Sequence, residues 1–160
     1  MITKSDVITG IKTKLVSGFN GWDLDGFKIT IPDGNYPNAV VNEIGQNYPA
    51  ICIRDGGDPE FISHGGNSYY VTSEFEIFCY ANSDGITDAS NALTRIEDKI
   101  IDIFETSPNI EGETTVLIQR INRGYRNDGF ADLYSVGYYD GVAISSVTLT
   151  VNYRRCTTNG

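Results

Sequence analysis

The sequence is poor in the residues that usually announce chemistry. It holds one histidine, one methionine, one tryptophan, three cysteines and five prolines in 160 residues. A single histidine leaves little for an imidazole metal centre or a relay of the serine–histidine–acid kind. His64 sits in Ser63-His64-Gly65-Gly66, with a serine beside it but no marked orienting acid, and reads as an ordinary loop histidine. Cys52, Cys79 and Cys156 are odd in number and far apart, which suits reduced thiols in a cytosolic setting rather than a disulfide framework or a zinc site. Basic residues are also scarce. Twelve Lys and Arg face twenty-one Asp and Glu, for a net charge of −9, which argues against a protein that grips nucleic acid by neutralising phosphates. No apolar run approaches the ~18 residues of a membrane-spanning helix, so no membrane partner is expected. The opening residues Met1-Ile2-Thr3-Lys4-Ser5-Asp6 lack the apolar region of a signal peptide. There is no Gly-x-Gly-x-x-Gly, no phosphate loop ending in Lys-Ser/Thr and no His-Glu-x-x-His. An enzyme, a cofactor and a bound metal are therefore not expected.

What remains is apolar and aromatic sequence spread along one domain, residues 1–160, with no repeat or linker. Ser5 as N-cap, Asp6 in the first turn, Ile8, Ile11 and Leu15 at helical spacing and Gly18 as a stop predict a first helix. Residues 19–48 are turn-rich, with a short strand over Phe27, Ile29 and Ile31 and another beginning at Val40-Val41. Ala50–Ile53 reads as a strand that ends at Asp55-Gly56-Gly57, followed by a polar turn over 58–68. Tyr69–Ala81 is the clearest strand. Tyr69, Val71, Phe75, Ile77, Cys79 and Ala81 share one face, and Thr72, Glu74 and Glu76 share the other. Such a strand would reach roughly 40 Å, long enough for a hairpin arm that leaves the core. Ala89, Ala92, Leu93, Ile96, Ile100, Ile103 and Phe104 form the stripe of a second helix near 86–105, with Asp88, Glu97, Asp98, Lys99 and Asp102 outside it. Val116–Ile121 and Val142–Tyr153 are further strands, joined by a long glycine-bearing segment over 123–141. The order predicts an α+β fold: a mainly antiparallel sheet, two helices packed on one face and a long protruding β-hairpin.

The candidates for function are few. Glu74 and Glu76 resemble a carboxylate pair but read more simply as a solvated strand face. Asp23-Leu24-Asp25-Gly26 lacks the spacing of a calcium loop, and Asp55, Asp58 and Glu60 make one more acidic turn. Cys52 and Cys79 have apolar neighbours and read as buried, inert thiols. The segment after Ile121 is richer. With Arg120 before it, it gathers Arg123, Tyr125, Arg126, Phe130, Tyr134, Tyr138 and Tyr139, and arginine and tyrosine often anchor interfaces. It reads as an interaction loop, an exposed hairpin with incidental aromatics, or a platform stacking bases between arginines. Charge is also segregated. Residues 1–42 hold four acids and four bases, residues 43–113 fourteen acids and three bases, and residues 114–160 three acids and five bases. A basic late surface meeting an acidic surface of another copy would make a head-to-tail contact, which closes into a ring when the rotation allows.

In its order of elements the chain resembles the tail-terminator proteins of long-tailed bacteriophages, also called tail-completion or head–tail joining proteins. The likeness lies in a helix over Ser5–Ser17 followed by Tyr48-Pro49-Ala50-Ile51-Cys52-Ile53. The long strand Tyr69–Ala81 then runs into an Asp/Ala-rich helix. Thr115–Asn122, an Arg/Gly/Asp-rich loop and the Val142–Tyr153 strand complete it. It covers residues 5–18 and 48–155, and the connection over 19–47 is longer than the pattern expects. The resemblance implies a structural virion protein, assembled in the host cytoplasm. It would form a homohexameric ring that caps the head-proximal end of the tail tube, stops tube polymerisation and meets the tail-tube protein and a neck or connector protein. DNA would pass through without specific binding, with Glu74 and Glu76 as channel-facing acids. Arg120, Arg123, Tyr125, Arg126, Phe130 and Tyr134 are the candidate inter-subunit, neck or tube contacts. The alternatives are another neck or tail-tube component such as a stopper or head-completion protein, a small α+β enzyme or ligand-binding module using the Asp55–His64 turn, and an acidic immunity-type partner.

Overall fold

A computed structural model describes residues 2–36, 47–63, 68–82, 89–110, 116–127 and 142–156. The first helix, α1, spans Lys4–Phe19. Its cap is Thr3, not Ser5. The Asp6 backbone N–H donates to the Thr3 hydroxyl (3.2 Å), and the Thr3 backbone N–H donates to the Asp6 carboxylate (2.8 Å). This reciprocal box needs a spacing of three, which Thr3 and Asp6 have and Ser5 lacks. Gly18 does not stop the helix. It lies inside α1 against the Ile103 side chain, and the chain turns at Asn20 and at Gly21, whose φ of 77° suits glycine.

A small hairpin follows, β1 (Asp23–Leu24) paired with β2 (Phe27–Lys28). Asp25 and Gly26 both have positive φ, the turn that suits the twist of a two-residue hairpin. The expected strand over Phe27–Ile31 is thus shorter, although Ile29 and Ile31 still pack against the core and Thr30 bridges to Ala50. Val40 and Val41 lie outside the described residues.

Four long strands make the main sheet: β3 (Ala50–Ser63), β4 (Ser68–Asn82), β5 (Val116–Asn127) and β6 (Val142–Cys156). They lie in the order β3-β4-β6-β5, all antiparallel. The strand predicted over Ala50–Ile53 does not end at Gly56-Gly57 but continues to Ser63. The glycines serve a bulge rather than a reversal: Gly57 has φ 98°, and a Cβ on Gly56 would sit 2.9 Å from the Glu74 carbonyl oxygen. The β3–β4 hairpin therefore pairs out to Ser63 and Tyr69, and near its far end Phe61, Ile62 and Tyr70 are exposed. The second helix, α2, spans Ala89–Thr106; the expected first turn over 86–88 lies outside the described residues.

Both helices pack on one face of the sheet, giving the expected α+β architecture. Val7, Ile11 and Leu15 of α1 and Leu93, Ile96, Ile100 and Phe104 of α2 join Ile51, Phe75, Ile77, Val147 and Leu149 in one buried cluster. The opposite, outer face is polar along Thr72, Glu74 and Glu76 but becomes apolar at one end. There Ala50, Cys52, Phe78, Tyr80, Val142 and Ile144 form a second, smaller cluster under Tyr36 and Tyr48. Among the described residues no helix is long and apolar enough to cross a membrane.

Close approach of α1 to the segment after α2 depends on Gly10, where an added Cβ would run into the Ile110 side chain. Gly10→Ala gains up to ~1 kcal/mol of helix propensity but overpacks a buried contact at a cost of about 1–3 kcal/mol. The expected net loss is about 1 kcal/mol, read as a lower midpoint in urea unfolding.

Candidate functional site

Two of the arginines expected in a loop lie on β5 instead and hold the sheet to α2. Arg123 and Arg126 are three apart, and on a regular strand they would point to opposite faces. A bulge between them brings both to the helix side, opposite Val147 and Ser145, which are two apart on β6. Gly124 permits the bulge, since a Cβ there would lie 2.5 Å from the Ser146 hydroxyl. That hydroxyl accepts from the Tyr125 backbone N–H at 2.9 Å. Both arginines then reach Glu97 of α2, whose side chain is only 3% exposed. Arg123 donates to Glu97 Oε1 and to Asp98. Arg126 donates to Glu97 Oε2 (2.9 Å), to the Ser90 carbonyl (2.6 Å) and hydroxyl (3.0 Å), and to Thr94 Oγ1 (3.1 Å). Glu97, expected outside the buried stripe, is thus a buried acid satisfied by two cations. The hydrogen bonds to Asp98 and Glu97 hold the Arg123 guanidinium above its ordinary pKa.

The same bulge leaves Tyr125 44% exposed, beside the outer-face cluster. It helps line a concave pocket of about 200 Å³ with Tyr36, Arg54, Glu76, Phe78, Tyr80 and Ile144. Tyr36 is fixed there by its backbone N–H, which donates to the Ile53 carbonyl at 2.9 Å, and its ring meets Phe78 at 5.1 Å between centroids. Arg54 lies over both rings, 5.8 Å from the Tyr36 centroid and 5.3 Å from that of Phe78, and pairs with Glu76. The pocket therefore has an aromatic floor and a zwitterionic wall. It unites two of the residues singled out in the sequence, Tyr125 and Glu76. Glu74 lies two residues from Glu76 on the same outer face, opposite Thr150. Arg120 is exposed on β5, also opposite Thr150. Phe130 and Tyr134 lie outside the described residues, as do His64, Tyr138 and Tyr139.

Sequence reasoning missed Tyr36, Arg54, Phe78 and Tyr80. Phe78 and Tyr80 alternate with the core residues Ile77, Cys79 and Ala81, so one end of β4 is apolar on both faces, and that signal was readable. Tyr36 comes from a stretch with no periodicity, and nothing local marks it.

The acidic turn near Gly57 is closed by a lysine. Lys4 Nζ lies 3.0 Å from Asp55 Oδ1 and 2.6 Å from Asp58 Oδ1, and Asp58 also accepts from the Ser73 hydroxyl at 2.6 Å. Burial opposes charge on both partners, but the mutual hydrogen bonds outweigh it, holding Lys4 above and Asp58 below their ordinary values. Asp25 pairs with Arg95. Among the described residues no group of three or more His, Cys, Asp or Glu is placed to hold a metal ion. Cys52 and Cys79 are buried. Burial pushes the Cys52 thiol up to about 11, against the Tyr80 hydroxyl 3.5 Å away, and pushes Cys79 up as well. Both are protonated and unreactive at neutral pH.

Arg123→Ala and Arg126→Ala should each cost about 1 kcal/mol, because Glu97 keeps one partner. The double variant should exceed their sum by about 1 kcal/mol or more, as it strands a buried carboxylate, and denaturant unfolding of the four-member cycle measures this. Lys4→Met should cost about 0.5–1 kcal/mol near neutrality. Asp58 is depressed, so its share is present above the unfolded value of 3.8 and is lost as pH falls through its lower folded value. Lys4 is raised, so its share is present below 10.5 and is lost as pH rises through its higher folded value. The difference between wild type and Lys4→Met should therefore be flat from about pH 5 to 9 and shrink outside both limits, as urea unfolding across pH will report.

No protein-family model matches the chain, and no curated protein is similar to it in sequence.

Proposed function

We propose that this chain is a structural virion protein that assembles with copies of itself. In this reading a ring, six-membered by the resemblance, caps the head-proximal end of a phage tail tube and joins it to the neck. The observation that carries the reading is the far half of the β3–β4 hairpin. Pairing continues out to Ser63, yet Phe61, Ile62 and Tyr70 are exposed there and β3 is the edge strand of the sheet. Exposed apolar residues beside an open edge invite a partner strand or surface, and a protein that works alone protects such an edge. Nearer the base of β3, protection is visible: the Ile53 carbonyl accepts from Tyr36, and Thr30 bridges to Ala50. Pro59 and the bulge blunt the middle of β3, and beyond them the exposed Phe61 and Ile62 remain on the edge strand.

The polar part of the outer face carries Glu74 and Glu76, which in this reading would face a passage through which DNA moves without being held, with Arg54 and Arg120 on the same face. Arg54 already neutralises Glu76, so Glu74 is the stronger of the two channel candidates. Arg123 and Arg126 serve first inside the fold. Arg120 and Tyr125 are the members of the predicted contact set that β5 turns outward.

Light scattering with negative-stain imaging over a wide concentration range tests the proposal. Rings of six times the 17.6 kDa chain mass are expected. Open tubes would point instead to a tube protein. A monomer at every concentration that also fails to bind the head-proximal ends of isolated tail tubes overturns the reading.

A further inference from the structure

We propose that the outer face of the β3–β4 hairpin end in one copy, at Ile62 and Tyr70, seats in a groove at the end of α1 in the next copy, with Glu60 meeting Lys28. The inference deepens the self-assembly reading and rests on it, but not on any place in a virion.

Strand register puts the first surface on a single face. Ile62 stands opposite Tyr70, and Glu60, two residues before it, stands opposite Thr72. Thr72 belongs to the outer face, so Glu60, Ile62 and Tyr70 all point outward, whereas Phe61, opposite the buried Val71, points to the helix side. Ile62 is 51% exposed and Tyr70 37%, and Glu60 is exposed with no ion-pair partner among the described residues. A free acid thus flanks two exposed apolar side chains at the rim of the sheet. Arg154 stands on the other side of Tyr70, on β6, inward from that rim.

The groove is complementary. Val16, Phe19, Trp22, Ile29 and Ile31 line a concavity of about 390 Å³, and Lys28 is its one charged member. Phe19 and Trp22 meet edge to face with centroids 5.1 Å apart, and Val16 is left 56% exposed. Lys28 is exposed, with no acceptor among the described residues. An apolar groove with one free cation matches an apolar surface with one free acid. The other exposed apolar side chains fit less well. Phe27 is the neighbour of Lys28 itself, Tyr125 stands beside Arg54 and Glu76, which already pair with each other, and the next outward charge along the strand from Leu117 is Arg120.

The two surfaces lie at opposite ends of the molecule. Thr30, between Ile29 and Ile31, bridges to Ala50 at the start of β3, and Ile62 lies near the other end of that strand, roughly 40 Å away. No copy can fill its own groove. The contact is head-to-tail, and each copy presents one of each surface.

The test exploits the chain's single tryptophan. Trp22 lines the groove, so its fluorescence reports on that place alone, and its emission should shift to the blue when assembly covers it. Ile62→Asp and Val16→Glu alter exposed positions on the two surfaces, and circular dichroism checks that each folds. Each alone should weaken self-association at least about tenfold, as loss of an interface anchor does. Mixed in equal amounts, they should form a one-to-one pair and nothing larger, because one intact contact remains. Glu60→Lys and Lys28→Glu should each weaken association about three- to tenfold. The chain carrying both should regain most of the loss, because the pair is restored with its signs exchanged. If that double variant assembles no better than the single ones, if Ile62→Asp assembles like wild type, or if Trp22 emits alike in monomer and assembly, this contact is overturned while self-assembly stands. A wild-type chain that stays monomeric overturns both.

Discussion

The pairing of β4 with β6 is the constraint on which the rest of the molecule depends. It runs without a bulge for fifteen residue pairs, from Ser68 opposite Cys156 to Asn82 opposite Val142. Because side chains alternate at every residue, that uninterrupted register decides which face each residue of both strands takes. Phe75, Ile77, Val147 and Leu149 go under the helices; Glu74, Glu76, Phe78 and Ile144 go to the outer face. A shift of one residue would bury the glutamates and expose the core.

The outer strands β3 and β5 behave differently. Both are bulged, and on each strand a bulge turns charge toward a helix. On β5 it aims Arg123 and Arg126 at Glu97 while sending Tyr125 to the other face. On β3 it presents Asp55 and Asp58 to Lys4 at the start of α1. The regular centre supplies apolar burial, and the irregular edges supply the polar ties that lock each helix to the sheet. These ties engage three of the twelve basic residues of an acidic chain within the fold.

Much of the fold was legible because it rests on period. The α2 stripe, the long β4 strand, the α+β class and the long hairpin follow from spacings within single segments. Glu97 was not legible: it lies between Ile96 and Ile100, and its burial depends on arginines 26 and 29 residues away. Gly56-Gly57 was misread for a related reason. A reversal and a bulge both draw on glycine's freedom at positive φ, and the pairing partner on β4 decides between them. The pocket was half legible, through Tyr125, Glu76 and the overlooked alternation of Phe78 and Tyr80. Tyr36 and Arg54 join it only once the sheet has formed.

The bulge around Gly57 has a geometric consequence. It sits on β3 between Arg54 and Phe61, and bulges bend the strand that carries them. The far half of the hairpin therefore leaves the base of the strand at an angle that a few residues within β3 set. Straightening that short stretch would re-aim the exposed Phe61, Ile62 and Tyr70 without altering any of them.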